Sequence, residues 1–238
     1  MRTALITGGA RGQGLSHAKR LAAAGWAVVI GDVLDEDGTA SAKELSDLGH
    51  SVDYRHLDVS DPDSWDSVME FVRDEHGSLH GLVNNAGIIH VADIVEESLE
   101  VWSRIVSVNL TGSFLGLKAA SPLLEVGSSV VNVASVFGPI GARGYAAYCS
   151  TKAGIIGLTK VAALELAERR IRVNAICPGG VSTKMNEDEP EGGVSDDTPF
   201  GRRAEVDEIS GTVAFLLSDD SRFITGTEIT IDGGLTAK

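Results

Sequence analysis

Tyr148 and Lys152 stand four residues apart, with Cys149, Ser150 and Thr151 between them. On a helix such a pair lies on one face, with Cβ atoms roughly 6 Å apart. A free phenol has a pKa of about 10 and exchanges protons poorly near neutrality. A fixed ammonium beside it favours the phenolate. Bringing the pKa down to about 7 takes about 4 kcal/mol. Two unit charges about 4–5 Å apart at an effective dielectric near 20 supply a similar amount. The pair is a proton-transfer device in outline. The same spacing also fits a solvated helix face, so the elements around it must decide.

The first of those elements is at the N-terminus. Residues 2–7 read as a short buried strand, and a glycine-rich turn follows at Gly8, Gly12 and Gly14, with Arg11 and Gln13 inside it. Leu15, Ala18, Leu21 and Ala22 then repeat with helical period. Strand, glycine turn and helix is the setting of a dinucleotide-binding loop. The turn brings a pyrophosphate close to the backbone, and the helix N-terminus supplies unpaired N–H groups and a favourable dipole. No Gly-Lys-Ser/Thr run follows, which disfavours a triphosphate loop. A glycine turn without a ligand is the alternative.

Residues 26–31 read as a second buried strand, with Asp32 at its end and Val33 next. A carboxylate about 20 positions past the glycine turn accepts from the adenosine ribose and repels a 2′-phosphate. Asp32 therefore argues for NAD. Arg11 pulls the other way, since a cation in the turn suits NADP, but the carboxylate is the more direct influence. Asp35 is expected to cap a helix running to about residue 48. A third strand at 51–57 ends at Asp58 and Val59, where the carboxylate can accept from an exocyclic amine.

Asp61-Pro62 opens another helix, and a fourth strand at 79–83 runs into Asn84, Asn85, Ala86 and Gly87. These amides either pin neighbouring loops or touch a ribose. Residues 98–125 read as one long helix, with Asn109 in its middle. Asn lowers helix propensity, so it is expected there to bind a water or to disturb the ladder. A fifth strand at 128–134 ends at Ser135, the end of an open α/β sheet where sites form. A helix at about 145–168, a strand at 171–176, a helix at 205–217 and a strand at 227–231 complete the pattern. Residues 185–200 are acidic and read as a flap over the site.

Composition narrows the function classes. The chain has 238 residues, 28 of them glycine, and a formal net charge of −14. That charge argues against nucleic acid and anionic membrane as partners. The two cysteines, Cys149 and Cys177, have no metal spacing, and the histidines form no ligand cluster. No metal is expected. No apolar run is long enough to span a bilayer, and a cytoplasmic protein is the simple reading.

Alternating strands and helices imply a single doubly wound parallel-sheet domain. The motifs together resemble the short-chain dehydrogenase/reductase family over essentially the whole chain. They run in order: the Thr7 to Gly14 turn, Asp58, residues 84–87, Asn109, Ser135, Tyr148 with Lys152, and Pro178-Gly179. The resemblance implies a Rossmann-type seven-stranded sheet in the order 3-2-1-4-5-6-7, and often a tetramer of 222 symmetry.

It also implies roles. Tyr148 is the acid or base, and Ser135 holds the substrate oxygen. Lys152 binds the nicotinamide ribose and acts on Tyr148, and Asn109 holds a water linking Lys152 to solvent. Gly8, Arg11, Gly12, Gln13, Gly14, Asp32, Val33, Asp58, Val59, Asn85, Ala86, Gly87, Pro178, Gly179, Val181 and Thr183 fall at cofactor positions.

Within the family, residues 8–18, 31–38, 56–65 and 132–138 resemble bacterial 3α,20β-hydroxysteroid dehydrogenases. The expected activity is NAD-dependent interconversion of a secondary alcohol and a ketone. Phe137, Ile140, His90 and Met185 are candidates for an apolar substrate pocket, although residues 186–198 lack the apolar side chains a steroid would want above it. Two alternatives stand beside this. An NADPH-dependent 3-oxoacyl-carrier-protein reductase would want a cation near position 32. A cofactor-binding regulator or scaffold would have lost Ser135, Tyr148 or Lys152.

Overall fold

The computed structural model describes residues 1–186 and 198–237. Its centre is a parallel sheet of seven strands: β1 (Thr3–Thr7), β2 (Ala27–Asp32), β3 (Val52–His56), β4 (Leu79–Asn84), β5 (Leu124–Val133), β6 (Arg172–Pro178) and β7 (Glu228–Ile231). The order is β3-β2-β1-β4-β5-β6-β7, as expected. Every residue of β1, β2 and β6 is buried, as expected of parallel strands covered on both faces; in β6 the buried Arg172 and Asn174 bond to backbone carbonyls.

Helices cover both faces. On one face α1 (Gly12–Ala23), α2 (Asp35–Asp47) and α7 (Val206–Leu217) pack through Ala18, Leu21, Leu45, Ile209 and Val213 onto Ile6, Val28 and Ile30. On the other, α3 (Pro62–His76), α5 (Gly112–Ala120) and α6 (Ala146–Glu165) press Trp65, Val68, Leu117 and Ala162 onto Leu5, Val29, Leu82 and Val130. The order reverses direction between β1 and β4, so a crevice opens at their carboxyl ends.

The long helix expected over 98–125 is not one helix. It consists of α4 (Leu99–Ile105), a π-helical segment (Val106–Thr111) and α5, which ends at Ala120. Pro122 cannot continue the ladder, and β5 begins at Leu124, four residues before the expected start. Its early residues slip in register against β4 between Leu79 and Gly81. Asn109 sits inside the π segment, so the expected disturbance of the ladder is present. Asp35 is the first residue of α2 rather than its cap; Leu34 holds the cap position, and its N–H donates to Asp32. Asp61 caps α3 as expected, accepting from Asp63 N at 3.1 Å. The flap expected at 185–200 lies mostly on residues 187–197, outside the described residues.

Candidate active site

The glycine turn is built by close approach. Gly8 and Gly12 have φ of +62° and +57°, a region that L side chains rarely adopt. Gly14 packs so tightly that a Cβ there would collide with the Gly8 carbonyl and come within 2.6 Å of Asn85 Nδ2. Asn85 Nδ2 donates to Thr7 O at 2.9 Å and Gly8 O at 3.1 Å. Thr7 Oγ1 accepts from Asn85 N and Ala86 N, both at 3.0 Å. Asn84 donates to Asn132 Oδ1 at 2.8 Å across the sheet. Of the two readings of these amides, the structure shows the pinning. They fix the turn that presents the N-terminus of α1. Arg11, the residue before that helix, makes no side-chain cap bond to it. Gln13 Oε1 is buried without a hydrogen-bond partner among the described residues.

Asp32 closes β2 with its side chain almost fully buried. One carboxylate oxygen accepts from Ala10 N at 3.0 Å and the other from Leu34 N at 3.1 Å. Each oxygen retains lone-pair capacity beyond that bond. Asp58 accepts from Ser60 N and Oγ through one oxygen, at 2.9 and 2.7 Å. Val59 touches the first turn of α5, where a Cβ at Gly112 would come within 2.9 Å of it.

The reactive end is assembled from β5 and α6. Ser135 follows β5 and is nearly buried, its Oγ accepting from Phe137 N at 3.2 Å. Tyr148 and Lys152 lie one turn apart on α6, with Lys152 Nζ 5.4 Å from the Tyr148 ring centroid. Lys152 is 4 % exposed. Its ammonium donates to Val133 O at 2.8 Å, and burial pushes its pKa down to about 8. It therefore stays mainly charged at neutral pH.

Asn109 is fully buried. Its Oδ1 accepts from Ile88 N at 2.8 Å, and its Nδ2 donates to Ile88 O at 2.9 Å and Thr151 Oγ1 at 3.2 Å. Gly87 lies between this amide and Lys152. A Cβ there would be 3.4 Å from Asn109 Oδ1 and 3.6 Å from Lys152 Nζ.

These groups share one cavity of about 930 Å³, at the large end of the usual range for small-molecule sites of about 300–1,000 Å³. Gly8, Arg11, Gly12, Gln13, Gly14, Asp32, Val33, Asp58 and Val59 line one side. Asn85, Ala86, Gly87, Ser135, Phe137, Tyr148, Lys152, Pro178, Gly179, Val181, Thr183 and Met185 line it as well. Three expected residues do not line it. Asn109 acts from behind through its bonds. His90 is exposed on the far side of the loop and faces Glu97 at 3.3 Å, so it does not join the substrate pocket. Ile140 points to solvent.

Arg104, Ser107 and Val108 line the cavity and were not singled out in the sequence. Their i, i+3, i+4 spacing gives them a common helix face, a signal that was available. Tyr145 was also missed. Its ring bridges Phe137 at 5.4 Å and Tyr148 at 6.4 Å. Leu235, in the tail after the last strand, carried no such signal.

The site fits a nicotinamide dinucleotide. It offers a glycine cradle that a Cβ would fill, an uncapped helix N-terminus for a pyrophosphate, and an orphaned amide oxygen at Gln13. Among the described residues no group of His, Cys, Asp or Glu could hold a metal ion, and no helix is long and apolar enough to cross a membrane.

Known proteins agree with this architecture. Residues 8–236 match the family described as "Enoyl-(Acyl carrier protein) reductase". The chain is 44% identical over 238 residues to a 3-alpha-(or 20-beta)-hydroxysteroid dehydrogenase of Mycobacterium tuberculosis, covering 99% of this chain and 90% of that one. It is 42% identical over 243 residues to a trans-4-hydroxycyclohexanecarboxylate dehydrogenase of Sinomonas cyclohexanicum, covering 99% and 93%. A dehydrogenase/reductase structure from Sinorhizobium meliloti superposes with a TM-score of 0.95 at 32% identity, covering 99% and 95% of the two chains. A blue fluorescent protein from a metagenomic library, solved with NADPH, superposes at 0.93 with 30% identity, covering 99% and 98%. The chain belongs to the short-chain dehydrogenase/reductase family. It is an oxidoreductase of that family's dehydrogenases, acting on CH–OH groups with a nicotinamide cofactor.

Proposed function

We propose that the protein interconverts a cyclic secondary alcohol, of which a hydroxysteroid is the large case, and its ketone, using NAD. One observation carries this reading. A single cavity joins Ser135, Tyr148 and Lys152 to the glycine turn and to Asp32. The two relatives named above are named for a hydroxysteroid and for a hydroxycyclohexanecarboxylate, which supports a cyclic substrate here.

The roles follow from chemistry. Gly8, Gly12, Gly14 and the N-terminus of α1 would hold the pyrophosphate, and Asp32 the adenosine ribose. Gly179, Val181 and Thr183 would flank the nicotinamide end. When bound, the cofactor supplies the hydride acceptor or donor. Tyr148 takes the substrate hydroxyl proton in oxidation and returns it in reduction. Ser135 Oγ donates to the same substrate oxygen and stabilises the developing alkoxide. The Lys152 ammonium favours the phenolate of Tyr148 by Coulomb attraction across a dry site. Phe137 and Met185 supply apolar contacts for the ring carbons.

Support for NAD rests on Asp32. A 2′-phosphate placed against this buried carboxylate meets like charge, and the carboxylate accepts only from backbone N–H groups among the described residues. The NADPH in a solved neighbour belongs to that protein. A carrier-protein reductase gains nothing here, because position 32 holds a carboxylate and the chain carries a net charge of −14. The regulator alternative loses its footing because Ser135, Tyr148 and Lys152 are all kept together in the cavity. A homotetramer and a cytoplasmic setting belong to the same proposal. Phe114, Val161 and Leu164 are exposed apolar side chains on α5 and α6, and both cysteines are free thiols.

A fluorescence titration with NADH and NADPH tests the cofactor assignment. NADH should bind at least about tenfold more tightly, the effect of about 1.4 kcal/mol of charge repulsion. Asp32→Ser should narrow that gap by weakening NADH and relieving NADPH. Equal or tighter NADPH binding by the wild type would remove Asp32 as the discriminator.

A further inference from the structure

The catalytic helix is tied to the cofactor side of the cavity by one hydroxyl that the mechanism above does not use. Thr151 precedes Lys152 on α6 and is 1 % exposed. Its Oγ1 accepts from Asn109 Nδ2 at 3.2 Å and donates to Tyr148 O at 2.8 Å. The direction of both bonds is fixed. Ile88 N can only donate and Ile88 O can only accept, so Asn109 must place Oδ1 on the first and Nδ2 on the second. The second Nδ2 hydrogen then points at Thr151, and the Thr151 hydroxyl hydrogen is left for Tyr148 O. The Asn109 amide and the Thr151 hydroxyl that join these bonds are both buried and lie behind the cavity lining.

We propose that Thr151 is a positioning residue for the reaction. It locks the backbone of Tyr148 to Asn109, and through Asn109 to Ile88 in the loop that follows β4. That loop lines the cavity through Gly87 and Ile88. The lock therefore sets where the phenol stands relative to a molecule resting on that loop. The π-helical segment is what makes the reach possible, since Asn109 lies within it and faces Ile88 and Thr151 together. This inference rests on Tyr148 being the acid–base group. A plain packing role for Thr151 makes the opposite forecast, because packing responds to volume and not to a hydroxyl.

Three variants separate the two. Thr151→Val keeps volume and β-branching and removes the hydroxyl. It leaves an Asn109 N–H and the extra acceptor bond at Tyr148 O unanswered in a buried place. Thr151→Ser keeps the hydroxyl and loses a methyl group, and Thr151→Ala loses both. Positioning predicts that Val and Ala each lower kcat about tenfold or more, as expected for a misplaced reacting group. It predicts that KM and Kd for the nicotinamide cofactor stay within about twofold, and that the pH dependence of kcat shifts. Ser should stay within about twofold of wild type in every reading.

Wild-type kcat and pH profile in Val would overturn the proposal. If Val does not fold, the Ser and Ala pair decides, and equal kcat in those two overturns it. Tyr148→Phe run in parallel keeps the two claims apart. Turnover surviving in Tyr148→Phe overturns the acid–base reading and the positioning role that depends on it. Loss there with no effect of the Thr151 hydroxyl overturns only the positioning role.

Discussion

Replacing Tyr148 by Phe should cut turnover by about three orders of magnitude while NADH still binds within about twofold of wild type. General acid–base groups contribute roughly 10²–10⁴ in rate, and the phenolic oxygen is the only atom removed. The ring keeps its edge contact with Tyr145 at 6.4 Å and its place 5.4 Å from the Lys152 ammonium. The fold is therefore left intact. The glycine turn and Asp32, which would hold the far half of the cofactor, are not touched by the change. A variant that retains turnover would show that the proton leaves by another route. A variant that also loses NADH binding would show that the hydroxyl serves binding rather than chemistry.

Replacing Lys152 by Met should separate activity from stability. The Lys152 side chain is almost fully buried, and burial pushes its pKa from 10.5 down to about 8. That shift corresponds to a penalty on the order of 3 kcal/mol for keeping the ammonium in the folded chain at neutral pH. Methionine removes the penalty but leaves the Val133 carbonyl without its 2.8 Å partner, at a cost of about 1–3 kcal/mol. The variant should therefore be as stable as wild type at pH 7, or slightly more so. Its kcat should nevertheless fall roughly 10²–10³-fold, since about 3–4 kcal/mol of phenolate stabilisation is lost.

The sign with pH is definite. The folded pKa is the lower one, so between about 8 and 10.5 the unfolded chain binds more protons than the folded chain. Wild-type stability gains from this group as pH rises through that window, and the Met variant lacks the gain. Thermal melts of both proteins at pH 7 and near pH 10 read it directly. A Met variant that melts far below wild type at pH 7 would contradict the account.

That Ser135, Tyr148, Lys152, Asp32 and the glycine turn would meet at one cavity was legible in the sequence. These residues announce themselves because the chemistry proposed for them constrains their setting. A glycine turn must follow a strand and open a helix, a ribose carboxylate must end the next strand, and a phenol–ammonium pair must share a helix face. Those statements depend on short-range spacing, and short-range spacing is what a sequence displays. The alternation of strands and helices pointed to a parallel sheet, but its strand order came only through the family resemblance that the motifs carry, and the structure has that order.

What escaped the reading depends on contacts between distant segments. The helix expected over 98–125 is interrupted by a π-helical segment that carries Asn109, whose side chain bonds Ile88 and Thr151, partners 21 and 42 residues away. The early end of α5 was visible in Pro122, but the apolar run Leu123-Leu124 hid it by fitting a helix and a strand equally well. His90 was a candidate for the substrate pocket, yet it is exposed and faces Glu97. The roles of Asn84 and Asn85 could not be chosen from spacing. Their Nδ2 groups hold strand ends and the glycine turn together through partners distant in sequence.

The proposed reaction is an NAD-linked oxidation of a secondary alcohol on a cyclic substrate, in the cavity shared by Tyr148 and Asp32. The most direct measurement is steady-state turnover of a series of cyclic alcohols, from cyclopentanol to a hydroxysteroid. Reduced cofactor is followed by its absorbance, with NAD and NADP in parallel. At least one member of the series should reduce NAD, with kcat/KM about tenfold or more above that with NADP. Its ketone product should be reduced again when NADH is supplied. Turnover confined to NADP, or none across the series with either cofactor, would contradict it.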